Sequence, residues 1–252
     1  MRKYVAFVGT EGGMPEEALA EMNRDWPAYK AELERRGTWR FGRELEFPET
    51  AVTVRARDGE TLVVDGPFAE TKEYVAGMDV FECADLDEAI EVEGLSPVAR
   101  FLPFEIRPLR GELRLGGLVD AFAGSDDTAG IPYLLSVWAD GASAESLEDP
   151  AVLEEYAAWQ QDLDARGAFA LGGLIGGPET ATTLRDGGAR VSDGSFLELD
   201  EYVAGVDVVC CSERAQAVEA AAAHPLARSH TVEVRPFYSE SSHPEHQDES
   251  PA

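Results

Sequence analysis

DGPFAETKEYVAG, at residues 65–77, returns as DGSFLELDEYVAG at residues 193–205, an offset of 128. The same offset joins Pro97 and Arg100 to Pro225 and Arg228, and EIRP at residues 105–108 to EVRP at residues 233–236. Upstream, Gly37 and Gly42 correspond to Gly167 and Gly172 at an offset of 130, so a short deletion separates the two registers. A period this long exceeds the ~20–50 residues of a solenoid unit. It describes two tandem domains of one fold, each near the lower end of the ~100–150 residues of an ordinary domain.

Each half has the same element pattern. A strand opens it, at residues 4–8 and 133–138, and a helix follows. Pro15, Glu16 and Glu17 mark the start of the first helix and Gly37 its stop; Asp149 and Pro150 start the second and Gly167 stops it. Leu19, Met22, Trp26, Tyr29 and Leu33 form one apolar helix face, as do Leu153, Tyr156, Trp159 and Leu163. Strands are expected at residues 39–45, 51–55 and 61–64, the last two joined by a turn at Asp58-Gly59. Another is expected at 78–83. Asp85, with Glu88 after it, opens a short helix running to Gly94, and residues 104–109 close the half as a strand. The order β-α-β-(ββ)-β-α-β is the split βαβ pattern of a ferredoxin-like α+β domain with an added hairpin. The expected layout is a first domain at 1–110, a Gly-rich acidic linker at 111–130, a second domain at 131–238 and a disordered tail at 239–252.

The chain carries 49 acids against 21 Lys and Arg, a formal charge of −28. The acids are spread over both halves, so the whole surface is negative. Such a field repels nucleic acids and anionic membranes, and neither is expected as a partner. Lysine is restricted to Lys3, Lys30 and Lys72. Dense acid with little lysine is the pattern of proteins that work in molar salt, where a Debye length of about 3 Å screens self-repulsion. The three cysteines, Cys83, Cys210 and Cys211, form neither a disulfide framework nor a zinc pattern. No metal or cofactor is expected. The start MRKYVAFVGTEGG has too short an apolar run for a signal peptide, and no stretch is long enough to span a membrane, so a cytoplasmic protein is expected.

DGPFAETKE, followed by Gly77, a strand, a capped helix and a closing EIRP strand, resembles the DGPF-containing branch of the YCII-related proteins. The resemblance covers both halves. It implies a ferredoxin-like fold that pairs sheet against sheet as a dimeric α+β barrel, here within one chain. Pairing with a second chain stays open. The first motif is intact. In the second, Pro67, Thr71 and Lys72 are replaced by Ser195, Leu199 and Asp200.

The resemblance makes Asp65 and Asp193 the motif carboxylates. Asp65 is the candidate general base. The alternative is a turn, in which Asp bonds nearby backbone N–H groups and the following Gly takes a positive φ. Lys72 and Arg43 are candidate anion holders, and Trp26 and Phe68 candidate pocket walls, with Asp193 as the second-half counterpart. Lys72 also reads as a surface salt bridge, and the helical aromatics as core. Arg100, Arg107, Arg228 and Arg235 read as structural ion pairs near the closing strand. A His–Asp pair is proposed as catalytic in part of the family. The first histidine here is His224, so by chain position none is expected to serve the first helix or hairpin of either half. The combined expectation is a non-catalytic binder of an unknown small molecule, or an accessory protein. The alternative is a lyase- or hydrolase-like acid–base enzyme around Asp65.

Overall fold

A computed structural model describes residues 1–57, 59–69, 72–119, 130–141, 143–196 and 200–239. Asp58 of the expected turn, Thr71 of the motif, residues 120–129 of the linker and residues 240–252 of the tail lie outside the described residues.

The first half runs β1 (Arg2–Thr10), α1 (Glu16–Arg36), β2 (Trp39–Glu44), β3 (Val52–Arg57), β4 (Glu60–Asp65), β5 (Tyr74–Cys83), α2 (Leu86–Gly94) and β6 (Phe104–Leu115). The second runs β7 (Ile131–Asp140), α3 (Pro150–Ala165), β8 (Phe169–Ile175), β9 (Thr182–Arg185), β10 (Arg190–Asp193), β11 (Glu201–Cys211), α4 (Arg214–Ala222) and β12 (Thr231–Pro236). Local chemistry sets the helix ends. Gly37 takes φ 65° and returns its N–H to the Leu33 carbonyl. The Asp85 side chain accepts the Glu88 N–H, while the Glu88 carboxylate accepts the Ala84 N–H at 2.6 Å. Asp149 caps α3 through the Ala151 N–H, with Pro150 at the first helical position. β6 continues to Leu115, so residues 111–115, expected to begin the linker, are strand. Leu113 is buried there and draws that stretch against β8.

All the pairings are antiparallel. The first half contributes the order β2-β5-β1-β6 and the second β8-β11-β7-β12. β6 pairs with β8 on one side. On the other, Leu45 bridges Phe237, the Glu46 N–H reaches the Pro236 carbonyl at 3.0 Å, and the Tyr238 N–H reaches the Glu44 carbonyl at 2.9 Å. The eight strands therefore close into one barrel. The added hairpins cross over: β3–β4 extends the second half's sheet at β12, and β9–β10 extends the first half's sheet at β6. Each crossing covers an edge that would otherwise be open.

Side chains alternate along each strand. Met78 and Val80 of β5 and Val206 and Val208 of β11 fill the barrel, with Phe7, Phe41, Trp138 and Phe237. Phe81 and Cys83 face α1 and α2 beside Tyr29 and Leu33, and Val209 and Cys211 face α3 and α4 beside Tyr156 and Trp159. All three cysteines are buried and free; burial pushes the Cys83 thiol up to about 12 and the Cys211 thiol up to about 11. No helix among the described residues is long and apolar enough to cross a membrane. Among those residues, no group of three or more His, Cys, Asp or Glu is placed to hold a metal ion.

Candidate functional site

The barrel has two quasi-equivalent mouths. At each, the closing strand of one half meets the DG(P/S)F loop of the other, because the loop follows the crossed hairpin.

One mouth is shut. Arg107 pairs with Glu105 at 2.9 Å, both only 3% exposed. The Arg107 guanidinium donates to the Val203 and Gly176 carbonyls at 2.8 and 3.1 Å and lies 5.3 Å from the centre of the Phe7 ring. The Glu105 carboxylate accepts the Ser195 hydroxyl at 2.5 Å and the Phe196 N–H at 3.0 Å. About 20 Å³ of space is left.

The other mouth is open. The Glu233 carboxylate accepts the Phe68 N–H at 2.9 Å, the same bond as in the shut mouth. Arg235 reaches Glu233 only at 3.7 Å, and no hydrogen bond joins its guanidinium to another described residue. Its side chain is 6% exposed. Burial lowers its pKa, and the Glu233 charge opposes that shift. The adjoining cavity measures about 600 Å³ and is lined by both halves: Pro67, Lys72 and Tyr74 on one side, Trp138, Glu233 and Arg235 on the other. Tyr74 holds its proton above the usual phenol value through burial and the nearby Glu49 carboxylate.

A single strand position separates the two mouths. Gly9 and Trp138 are equivalent, opposite Val75 and Val203. The Phe196 ring lies on Gly9, where a Cβ would come within 2.5 Å of it. In the open mouth the indole of Trp138 occupies that place. Phe68 leans on it at 5.4 Å, half-buried, with Arg55 over its ring. A glycine lets one loop aromatic close the barrel end; a tryptophan props the other away.

The residues singled out from the sequence fall in three places. Phe68 and Lys72 are at the open mouth, where Lys72 pairs with Glu11 at 2.5 Å and is 82% exposed. Asp65 ends β4 on the outside, its side chain 83% exposed and bound to Arg214 at 3.0 Å. Asp193 ends β10 in the same exposed way. Gly66 and Gly194 follow at φ 106° and 100°, each donating to the carbonyl of Ala51 or Ala181 at 2.9 Å, so both copies make one turn. Trp26 and Arg43 are elsewhere, in the wall of a cavity of about 270 Å³ between α1 and the sheet. Trp26 is 42% exposed, whereas Tyr29, Tyr156 and Trp159 are core.

The expectation from chain position about histidine is corrected. His224 Nε2 lies 3.2 Å from the Asp207 carboxylate, with both side chains fully buried. His224 also packs on Trp159 and Tyr156 of α3, at ring distances of 4.5 and 5.1 Å. The turn after α4 passes beneath the first helix of its half, which sequence separation does not reveal. Its Nδ1 accepts the Leu226 N–H, so Nε2 carries the hydrogen and donates to Asp207. Tyr156 and Gln160 complete the ring of donors around Asp207, which is sealed from solvent. One signal was visible in the sequence: an Asp inside an otherwise apolar strand, in both copies (VAGMDVF and VAGVDVV).

Two ferredoxin-like halves with crossed hairpins, closed into one barrel with one open mouth, define a tandem α+β barrel protein. Residues 3–110 and 133–240 both match the YCII-related domain. The chain belongs to the YCII-related family. It is 44% identical over 63 residues to an uncharacterized protein of Rhizobium meliloti (strain 1021); the match covers 23% of this chain and 49%, about half, of that protein. A crystal structure of a protein provisionally named a chlorite dismutase aligns over 95% of this chain and 96% of its own, at 8% identity and a TM-score of 0.41.

Proposed function

We propose that this protein is a non-catalytic binder of a small anionic molecule, held at the open mouth between the halves. One observation carries the reading: a buried guanidinium that faces a cavity of about 600 Å³ without a hydrogen-bond partner among the described residues. Its twin Arg107 shows what satisfies such a group: a close carboxylate and two carbonyls. A buried charge whose counter-ion stands off at 3.7 Å and makes no hydrogen bond to it is poorly compensated, and a bidentate carboxylate supplies the missing bonds. Trp138 offers an apolar face beside it, so the ligand is an aromatic or short apolar carboxylate. Lys72 stands at the rim and Pro67 shapes the loop, two of the motif residues that the second half has lost. The exposed, ion-paired position of Asp65 favours binding over acid–base chemistry. The acidic surface further supports a salt-adapted protein; a cytoplasmic location and two domains at 1–110 and 131–238, the first with its closing strand running on to Leu115, complete the reading.

The test is tryptophan fluorescence and calorimetry with sodium benzoate against sodium chloride at equal ionic strength. Saturable binding that weakens tenfold or more in Arg235→Met, with an unchanged circular dichroism spectrum, is the expected result. Equal responses to both salts refute the reading.

A further inference from the structure

We propose that the cavity beneath α1 is a second ligand site, independent of the mouth, that takes a small apolar amine as its ammonium ion, with Asp79 as counter-ion.

The two halves provide the comparison. Asp79 and Asp207 occupy the same place on β5 and β11 and face the helices. Each lies over a glycine, Gly42 or Gly172, where a Cβ would come within 1.9 Å of the carboxylate Oδ1. In the second half the carboxylate is saturated. Tyr156 donates at 2.8 Å, Gln160 at 2.8 Å and His224 at 3.2 Å. The first-half residues at those positions are Trp26, Lys30 and Ser96. Trp26 turns outward and meets Tyr29 edge-on at 5.6 Å. Lys30 lies on the exposed face of α1. Asp79 keeps one bond, from the Trp39 indole N–H at 3.3 Å.

The lost donors leave room as well as need. The cavity measures about 270 Å³ and reaches Asp79, whose surface stays partly open to it, whereas Asp207 is sealed. Met14, Leu19, Met22 and Trp26 make an apolar wall above the carboxylate. Thioethers adapt to varied shapes, and an indole face attracts an ammonium.

The sign of the ligand follows from a second carboxylate. Glu93, fully buried, stands where the second half has Ala221. Neither of its carboxylate oxygens has a hydrogen-bond partner among the described residues. Burial and the mutual charge of Asp79 and Glu93 push Glu93 well above the usual carboxylate range; burial raises Asp79 to about 7. A cation relieves both effects and an anion worsens both. Glu93 is not itself in the cavity wall; apart from Asp79, the charged groups there are Arg43 and Glu44, of opposite sign. The charge of −28 adds a field that concentrates cations at the surface.

The probe is benzylamine hydrochloride, titrated by calorimetry at pH 8 against ammonium chloride at equal ionic strength. Saturable binding is expected, weakened at least tenfold in Asp79→Asn and in the cavity-filling variant Met22→Trp. Arg235→Met should bind benzylamine as the parent does, and the parent's benzoate response should survive Met22→Trp, so the two sites fail or succeed separately. Binding no tighter than ammonium, or parent affinity in both Asp79→Asn and Met22→Trp, overturns the proposal.

Discussion

Replacing Asp79 by Asn should make the protein more stable, and by an amount that depends on pH. Burial raises the Asp79 carboxyl from 3.8 to about 7. An acid raised in the folded state binds more protons there than in the unfolded chain, so its contribution falls as pH climbs between those two values. At pH 5 the unfolded carboxyl is already ionised while the folded one keeps its proton. At pH 8 both are ionised, and the folded state bears the cost of holding the charge largely away from water. With 1.36 kcal/mol for each pKa unit, the loss between pH 5 and pH 8 is about 2.5 kcal/mol. Asn has the shape of the protonated acid and does not titrate. The stability gap between Asp79→Asn and the parent should therefore widen by about 2.5 kcal/mol from pH 5 to pH 8. The remaining acids, apart from Glu93, whose carboxyl the Asp79 charge helps to raise, titrate alike in both proteins and cancel in the comparison. The assay is urea unfolding of both proteins at the two pH values, in the same concentration of KCl. A gap of equal size at both would show that Asp79 is ionised without penalty and would refute the reasoning.

Gly172→Ala places a Cβ within 1.9 Å of the Asp207 Oδ1, in a packed ring of donors, and should cost about 2–4 kcal/mol in chemical denaturation. Gly42→Ala should cost less, because Asp79 has a cavity to move into. Trp138→Gly should let Phe68 pack onto the strand as Phe196 does on Gly9, close the open mouth and abolish the benzoate response; a structure of the variant with Phe68 still propped out would contradict this. The melting temperature should climb steeply with KCl up to molar levels, since salt screens the repulsion among 49 acids. A flat melting curve against KCl would remove the salt-adapted reading.

The elements themselves were legible because their signals are local. Gly37, Asp85 with Glu88, and Asp149 with Pro150 act within one turn of where they stand. The repeat made the tandem α+β architecture readable from Asp65 and Asp193 outward. The crossing of the hairpins was not legible. Nothing in β3 or β9 states whose edge it will join, since the bonds are made by backbone groups that all strands share. The open mouth was hidden for a similar reason. It depends on Gly9 against Trp138, which looks like ordinary divergence until Phe68 and Phe196 are seen to compete for the same space. Arg235 read as a structural ion pair, and only its 3.7 Å separation from Glu233, beside 2.9 Å in the twin, distinguishes it. The Asp207–His224 contact lay beyond sequence reasoning because 17 residues of chain turn back through α4 before the ring arrives.

The crossed hairpins also set the order of events on the ribosome. The β3–β4 hairpin is among the first pieces made, yet the β12 edge that receives it arrives only with Thr231–Pro236. At about 5–20 residues per second, the wait is roughly 10–35 s. Until then β3 carries Val52 and Val54, both core residues of the finished protein, without a sheet to cover them. The first half therefore cannot mature as a unit while the second is being translated, and vectorial synthesis gives it no head start. Two genes encoding the halves would have to produce both chains together, since Val52 and Val54 of β3 and Leu184 of β9 each pack in the other half's core.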